Sequence, residues 1–177
     1  MIFCAGGNED FKFAKPLGIG LVDVTATLTK ICMFDRPQSI LFVGSAGSYG
    51  RHDIYDIVHS DTATNIEIGY FENRCYTPID NIVQATGDRD IDKAIVNSSN
   101  YITTDDTASK EFLARGVELE NMEFFAVLKV AKMFDISASG LFVVTNYTDS
   151  QAHEQFVANH KQAKQKLKTY LEKKVKL

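Results

Sequence analysis

Two hydrophobic rhythms run along this chain, and their alternation predicts its elements. Residues 1–5 are a short apolar run that stops at Gly6-Gly7, which reads as a buried strand followed by a turn. After Pro16 and a Gly18-Ile19-Gly20 turn, Leu21, Val24, Leu28, Ile31 and Cys32 recur at three and four, a helical period. Residues 39–43 read as a buried strand bounded by Pro37 and Gly44, and residues 54–60 and 63–70 as further strands. Within 78–102, strands are expected near 82–84 and 101–103. Residues 109–114 predict a short helix and 116–119 a short strand. Residues 122–134 are apolar almost all round, the mark of a buried helix rather than an amphipathic one. A central strand over 139–145 follows. The last helix is expected from Asp149 or Ser150, both good N-caps, with Phe156, Ala163, Leu167, Tyr170 and Leu171 on one face. Strands alternating with helices predict one α/β domain over 1–177, with a mixed, mostly parallel central sheet flanked by helices.

Composition narrows the classes. A chain of 177 residues, 45% hydrophobic and 24% charged, supports a sizeable core. The net charge of −4 argues against nucleic acid as a general partner. Lys161, Lys164, Lys166, Lys168, Lys173, Lys174 and Lys176 gather late, but only Tyr170 could stack beside them, so they read as the solvated face of the last helix. Cys4, Cys32 and Cys75 show no metal or redox spacing and read as reduced thiols of a cytoplasmic protein. The four histidines show no paired ligand spacing, and no metal site is expected. No basic-then-apolar leader opens the chain, and no run approaches the roughly 20 apolar residues of a membrane helix.

Three segments carry candidate chemistry. Gly44-Ser45-Ala46-Gly47 ends an apolar run; glycines there let backbone N–H groups approach an anion, and the serine hydroxyl can add a bond. A plain strand-to-loop turn explains the same residues. Glu118 and Glu120 stand at a strand end and are expected on opposite faces, one entering a pocket and the other meeting solvent or an ion pair. A carboxylate in such a pocket can accept both hydroxyls of a vicinal diol. Asn146, after an apolar strand, can donate and accept at once, which suits a purine edge; it could equally cap the next helix.

Together these segments resemble the nucleoside phosphorylase and nucleosidase superfamily, over most of the chain. Gly18-Ile19-Gly20 looks like the family's first glycine turn, "ILFVGSAG" (40–47) like its strand ending in GSAG, and "IYDIVHSD" (54–61) like its VGDIVVSD. "GVELENMEFFAVLKVAKMF" (116–134) resembles the signature GVEMEAAA…VA…F, the most specific of the matches, and "VVTN" (143–146) resembles the segment that meets the base.

The resemblance implies a nucleoside phosphorylase-like fold and cleavage of an N-glycosidic bond without a covalent enzyme intermediate. It implies Glu120 as the carboxylate on the ribose hydroxyls, with Leu119 before it, and Ser45, with Ala46 and Gly47, as the phosphate cradle. Asn146, with Thr145 beside it, would contact the purine, and an amide there favours 6-oxopurines. The leading expectation is therefore a homo-oligomeric purine nucleoside phosphorylase of purine salvage, acting on inosine or guanosine, with phosphate as co-substrate and no cofactor. Alternatives are a nucleosidase of the methylthioadenosine or futalosine type, or a catalytically reduced nucleoside-binding relative. Phe42 stands where hexameric phosphorylases carry an arginine three residues before the serine; Arg51 and His52, or an arginine from a neighbouring subunit, are the expected substitutes. Glu9 or Asp10 would match the acid that activates water in nucleosidases, and Tyr101 the aromatic that stacks on the base.

Overall fold

Strand β3 (Ser39–Ser48) is the spine of the molecule. The computed structural model describes residues 1–85 and 93–174. Before β3 come β1 (Ile2–Cys4), a 3-10 turn (Gly7–Glu9), β2 (Lys15–Pro16) and α1 (Gly20–Phe34). After it follow β4 (Ile57–Ser60), β5 (Thr62–Thr64), α2 (Ile68–Phe71), β6 (Ile82–Gln84), β7 (Ile95–Ser98) and α3 (Asp106–Ala114). The chain then runs through β8 (Val117–Asn121), α4 (Phe124–Met133), β9 (Ser137–Tyr147) and α5 (Ala152–Lys174). The described strands form one mixed sheet. β3 pairs in parallel with β1 at its start and with β9 along its length, and meets β8 antiparallel at Gly47 and Ser48. From β8 the sheet continues through β7, β5 and β6, while β4 lines the far side of β9.

Period-two alternation decides which helices cover which face. Ile40 and Phe42 of β3, with Ala138, Phe142 and Val144 of β9, pack under α1 and α4. Val43, Leu141 and Val143 point the other way, onto Ala163, Leu167 and Leu171 of α5. Phe42, Phe124 and Phe142 meet with ring centroids 5.1–6.2 Å apart. Gly140 makes room for them: a Cβ there would stand 2.5 Å from the Phe142 ring and 2.7 Å from Phe124.

Several expected boundaries move for identifiable reasons. β3 does not stop at Val43; its parallel pairing with β9 carries it through Gly44–Ser48, so the Gly-rich motif lies inside a strand rather than in a turn. The strand expected over 63–70 ends at Thr64, because the Asn97 side chain accepts from Ile66 N and donates to Ile66 O in place of a strand partner. No strand forms at 101–103. The N–H groups there are taken by side chains, Tyr101 N by Ser99 Oγ and Thr103 N by Glu120 Oε1. The strand of that region is β7, earlier in the chain. Helix α3 starts three residues before its expected position, with Asp105 accepting from Thr107 N and Ala108 N. Asp149 accepts from Gln151 N at the entry to α5. Lys176 and residues 86–92 of the 78–102 stretch lie outside the described residues. No described helix is long and apolar enough to cross a membrane.

Candidate active site

Two ladder irregularities build the site. Between Ala46 and Gly47 the β3–β9 register slips, leaving Thr145 opposite no β3 residue. Between Ile95 and Val96 the β7–β8 register slips in the same way at Glu118. In a regular strand Glu118 and Glu120 would share a face; the bulge parts them. Gly47 stands where β3, β8 and β9 meet, and a Cβ on it would lie 2.9 Å from Thr148, 3.1 Å from Asn146 Nδ2 and 3.2 Å from Glu120 Cγ. Its missing side chain lets Asn146 and Glu120 approach one another.

The result is a cavity of about 320 Å³ at the C-terminal ends of β1, β3, β8 and β9, where open α/β sheets bind ligands. Ser45, Ala46 and Gly47 form part of its wall, with Thr145, Asn146 and Glu120; Phe42 lies at its floor and Tyr101 at its rim. Glu118, Leu119 and Arg51 do not line it. Leu119 is wholly buried in the core beneath α1 and α4. Glu118 pairs instead with His52 Nε2 at 2.7 Å and Arg51 Nε at 3.4 Å.

Three carboxylates line the cavity: Glu9, Glu120 and Glu123. Glu9, at the end of the 3-10 turn, takes the Ser45 backbone N–H on Oε2 at 2.8 Å and the Ser45 hydroxyl on Oε1 at 2.7 Å. His160 Nε2 lies 2.7 Å from the same Oε1. Burial opposes ionisation of Glu9, but the bonds from His160 and Ser45 outweigh it and hold the carboxyl below its usual range. Glu120 accepts from Tyr49 OH and Thr103 N, both at 3.0 Å, and burial still pushes its carboxyl up. Burial and the Glu120 charge push the Tyr49 hydroxyl well above its usual range, so it stays a neutral donor.

Glu123 directly precedes α4. Its Oε1 accepts from Gly20 N at 3.0 Å and its Oε2 from Asn121 Nδ2 at 2.8 Å. Burial pushes its carboxyl from 4.5 to about 7, with the Glu9 charge adding to the rise. Asn146 is buried; its Oδ1 accepts from Thr145 Oγ1 at 2.8 Å and its Nδ2 donates one hydrogen to Tyr147 O at 2.9 Å. His153 and Phe156 of α5 complete the wall, and among the described residues no lysine or arginine reaches it. Nor do the described residues contain a cluster able to hold a metal ion.

A family model described as the phosphorylase superfamily matches residues 2–176. The chain belongs to the phosphorylase superfamily. Its fold is that of solved structures at low identity. One is a 5′-methylthioadenosine/S-adenosylhomocysteine nucleosidase of Helicobacter pylori, with TM-score 0.77 and 16% identity over 92% of this chain and 78% of that one. A second is a futalosine hydrolase of the same organism, at 0.76 and 16% over 90% and 76%. A third is a Streptococcus pneumoniae MTA/SAH nucleosidase solved with 8-aminoadenine, at 0.70 and 12% over 94% and 95%. No curated protein sequence matches significantly.

Glu123 and His160 were not among the residues singled out from the sequence. A signal for Glu123 was present. In this phosphorylase-superfamily member the signature's Met-Glu step can be laid on Met122-Glu123, which runs without a break into Val130-Ala131 and Phe134. Glu118-Leu119-Glu120 matches the same step but leaves three extra residues before the helix. His160 carries no local signal, because its partner lies 151 residues away.

Proposed function

We propose that this protein is a nucleosidase, which hydrolyses the N-glycosidic bond of a purine nucleoside with water rather than phosphate as nucleophile. One observation carries the reading: the Ser45 N–H and hydroxyl, the donors expected to cradle phosphate, are both bonded to the Glu9 carboxylate. A phosphate there would have to displace an anion and then sit among three carboxylates, with no lysine or arginine on the wall among the described residues. Two like charges 4 Å apart repel by about 4 kcal/mol at an effective dielectric of 20. A water molecule suffers no such repulsion, and Glu9 is a base placed to take its proton. The nucleosidases and futalosine hydrolase among the fold's neighbours support the same choice.

The other groups then take roles by chemistry. Glu123 is buried, borders the cavity and, beside its bonds from Gly20 N and Asn121 Nδ2, has lone pairs left for both hydroxyls of a ribose diol when ionised; it is also the glutamate of the Met-Glu step that runs unbroken into α4, which Glu120 is not. Asn146 has one Nδ2 hydrogen left after its bond to Tyr147 O, a donor for N7 or O6 and hence for a 6-oxopurine. Ile19, Tyr101 and Ile102 line the cavity and stand exposed, and a second copy covering them would close the site.

The deciding experiment incubates the protein with inosine, guanosine and methylthioadenosine, with and without phosphate, and measures base and sugar products. Free base with free ribose, indifferent to phosphate, is expected. Sugar 1-phosphate that appears only with phosphate would overturn the reading. Thermal stabilisation by a nucleoside without any product would favour the catalytically reduced relative, since Asn146 cannot protonate a leaving base.

A further inference from the structure

His160 lies on α5 and Glu9 near the chain's start, yet they share a 2.7 Å bond with both side chains nearly out of water. The His160 ring packs on Phe156, 4.7 Å between centroids. His160 also lines a second groove of about 430 Å³, together with Phe11, Lys161, Lys164 and Lys168. Other ionisable groups surround the pair. Glu120 and Glu123 face it from β8 and the start of α4, His153, Lys161, Lys164 and Lys168 from α5, Asp10 and Lys12 from the loop after the 3-10 turn, and Cys4 from β1. Lys164 Nζ is held by the carbonyls of Asn8 and Asp10, which keeps it off the Glu9 carboxylate.

Resting on the nucleosidase reading, we propose that His160 is a positioning residue of the reaction: its ring N–H fixes the Glu9 carboxylate as an oriented anion facing the sugar. Ser45 already gives Glu9 one bond on each oxygen. The imidazole adds a second bond on Oε1 from a different element, and each bond to the ionised carboxylate is about twice as strong as a neutral one. In the step it serves, the C1′–N9 bond breaks and its electron pair leaves with the base. Water oxygen bonds to C1′, and the proton lost by that water passes to Glu9. The base takes a proton from solvent, and Glu9 returns its own to solvent. Of this sequence His160 controls the second half, since a Glu9 that is protonated or turned away cannot accept the water's proton.

The pH profile of kcat, taken with substrate saturating so that the sugar already occupies Glu123, separates this role from simple packing. His160 lowers the ionisation range of Glu9, so losing it moves the acid limb to higher pH. We expect His160→Leu to move that limb up by about one pH unit and to lower kcat near neutrality about 10-fold or more. His160→Gln, whose amide still donates a hydrogen bond, should fall between it and the wild type. Denaturation midpoints of both variants confirm that they fold. A slowly exchanging downfield ring N–H resonance in the wild type, lost in Glu9→Gln, is the matching signature. Unchanged activity in His160→Leu, an equal loss at every pH, or no such resonance would overturn the proposal while leaving wild-type hydrolysis intact. A wild type that makes sugar 1-phosphate would instead mark failure of the nucleosidase reading.

Discussion

At the scale of single residues, the site turns on which carboxylate does what. Glu9→Gln keeps the side chain's shape and one acceptor oxygen for Ser45 but cannot take a proton. Its kcat should fall about 10²- to 10⁴-fold, with KM within a few-fold and a single cooperative unfolding transition whose midpoint drops by the stability the Glu9 carboxylate contributes. Near-normal turnover in that variant would remove Glu9 from the reaction. Glu123→Gln should cost more kcat/KM than Glu120→Gln, about 10- to 100-fold, because a charge-assisted bond to a sugar hydroxyl contributes about 1.5–3 kcal/mol. Steady-state kinetics on both variants would show the reverse order if Glu120 holds the diol. Asn146→Asp should move preference toward adenosine relative to inosine, since a carboxylate accepts from a 6-amino group where the amide donates to O6. Ser45, Glu120 and Asn146 were legible in the sequence and line the cavity, whereas Glu118, expected beside them, does not. The sequence resemblance put the ribose hydroxyls on Glu120 rather than Glu123, because two Glu-bearing steps precede the same helix and only their long-range bonds, from Tyr49 and Thr103 to one and from Gly20 to the other, distinguish them. Glu9 appeared only as one of two adjacent acids, and its orientation depends on a serine 36 residues away.

At the scale of elements, hydrophobic period was legible where burial was one-sided or complete, as in α1, α4, β9 and the apolar face of α5. It failed where side chains replaced the ladder. Asn97 ending β5 and Glu120 capturing Thr103 N are long-range bonds that no window of neighbouring residues displays. The two bulges were hidden for the same reason, since a register slip belongs to a pair of strands. Gly140 offers a test of how tightly the layer beneath the cavity is fitted. Gly140→Ala would press a methyl into the rings of Phe142 and Phe124, which also touch Phe42 at the cavity floor. Overpacking of this kind costs about 1–3 kcal/mol, so urea denaturation should show a loss of that size. A loss well below 0.5 kcal/mol would mean that the three rings shift freely, and the floor they form would then be a soft one.

At the scale of the whole molecule, the site makes folding answer to pH. Glu123 has a folded-state pKa of about 7 against 4.5 for the free group, so between those values the native state binds more protons than the unfolded chain. Stability must therefore fall as pH rises through that window and level off above it, by on the order of 3 kcal/mol from this group. Glu120, also raised, adds to the same trend. Glu9 acts oppositely and elsewhere: its lowered carboxyl contributes stability above its ordinary value that is lost as pH falls below it. Denaturation midpoints at several pH values from 5 to 8, for the wild type and Glu123→Gln, isolate the term. Gln places an N–H against Asn121 Nδ2 or Gly20 N, which shifts its stability by a constant, but its decline across the window should be shallower by on the order of 3 kcal/mol. Equal slopes would mean that the carboxylate ionises in the fold without penalty. The tension has a functional logic. A diol hydroxyl pair adds donors to the two that Glu123 already has, so substrate should bind with release of a proton near neutrality, and KM should rise as pH falls below about 7. The same burial that weakens the empty protein at neutral pH thus gives the occupied one its hold on the sugar.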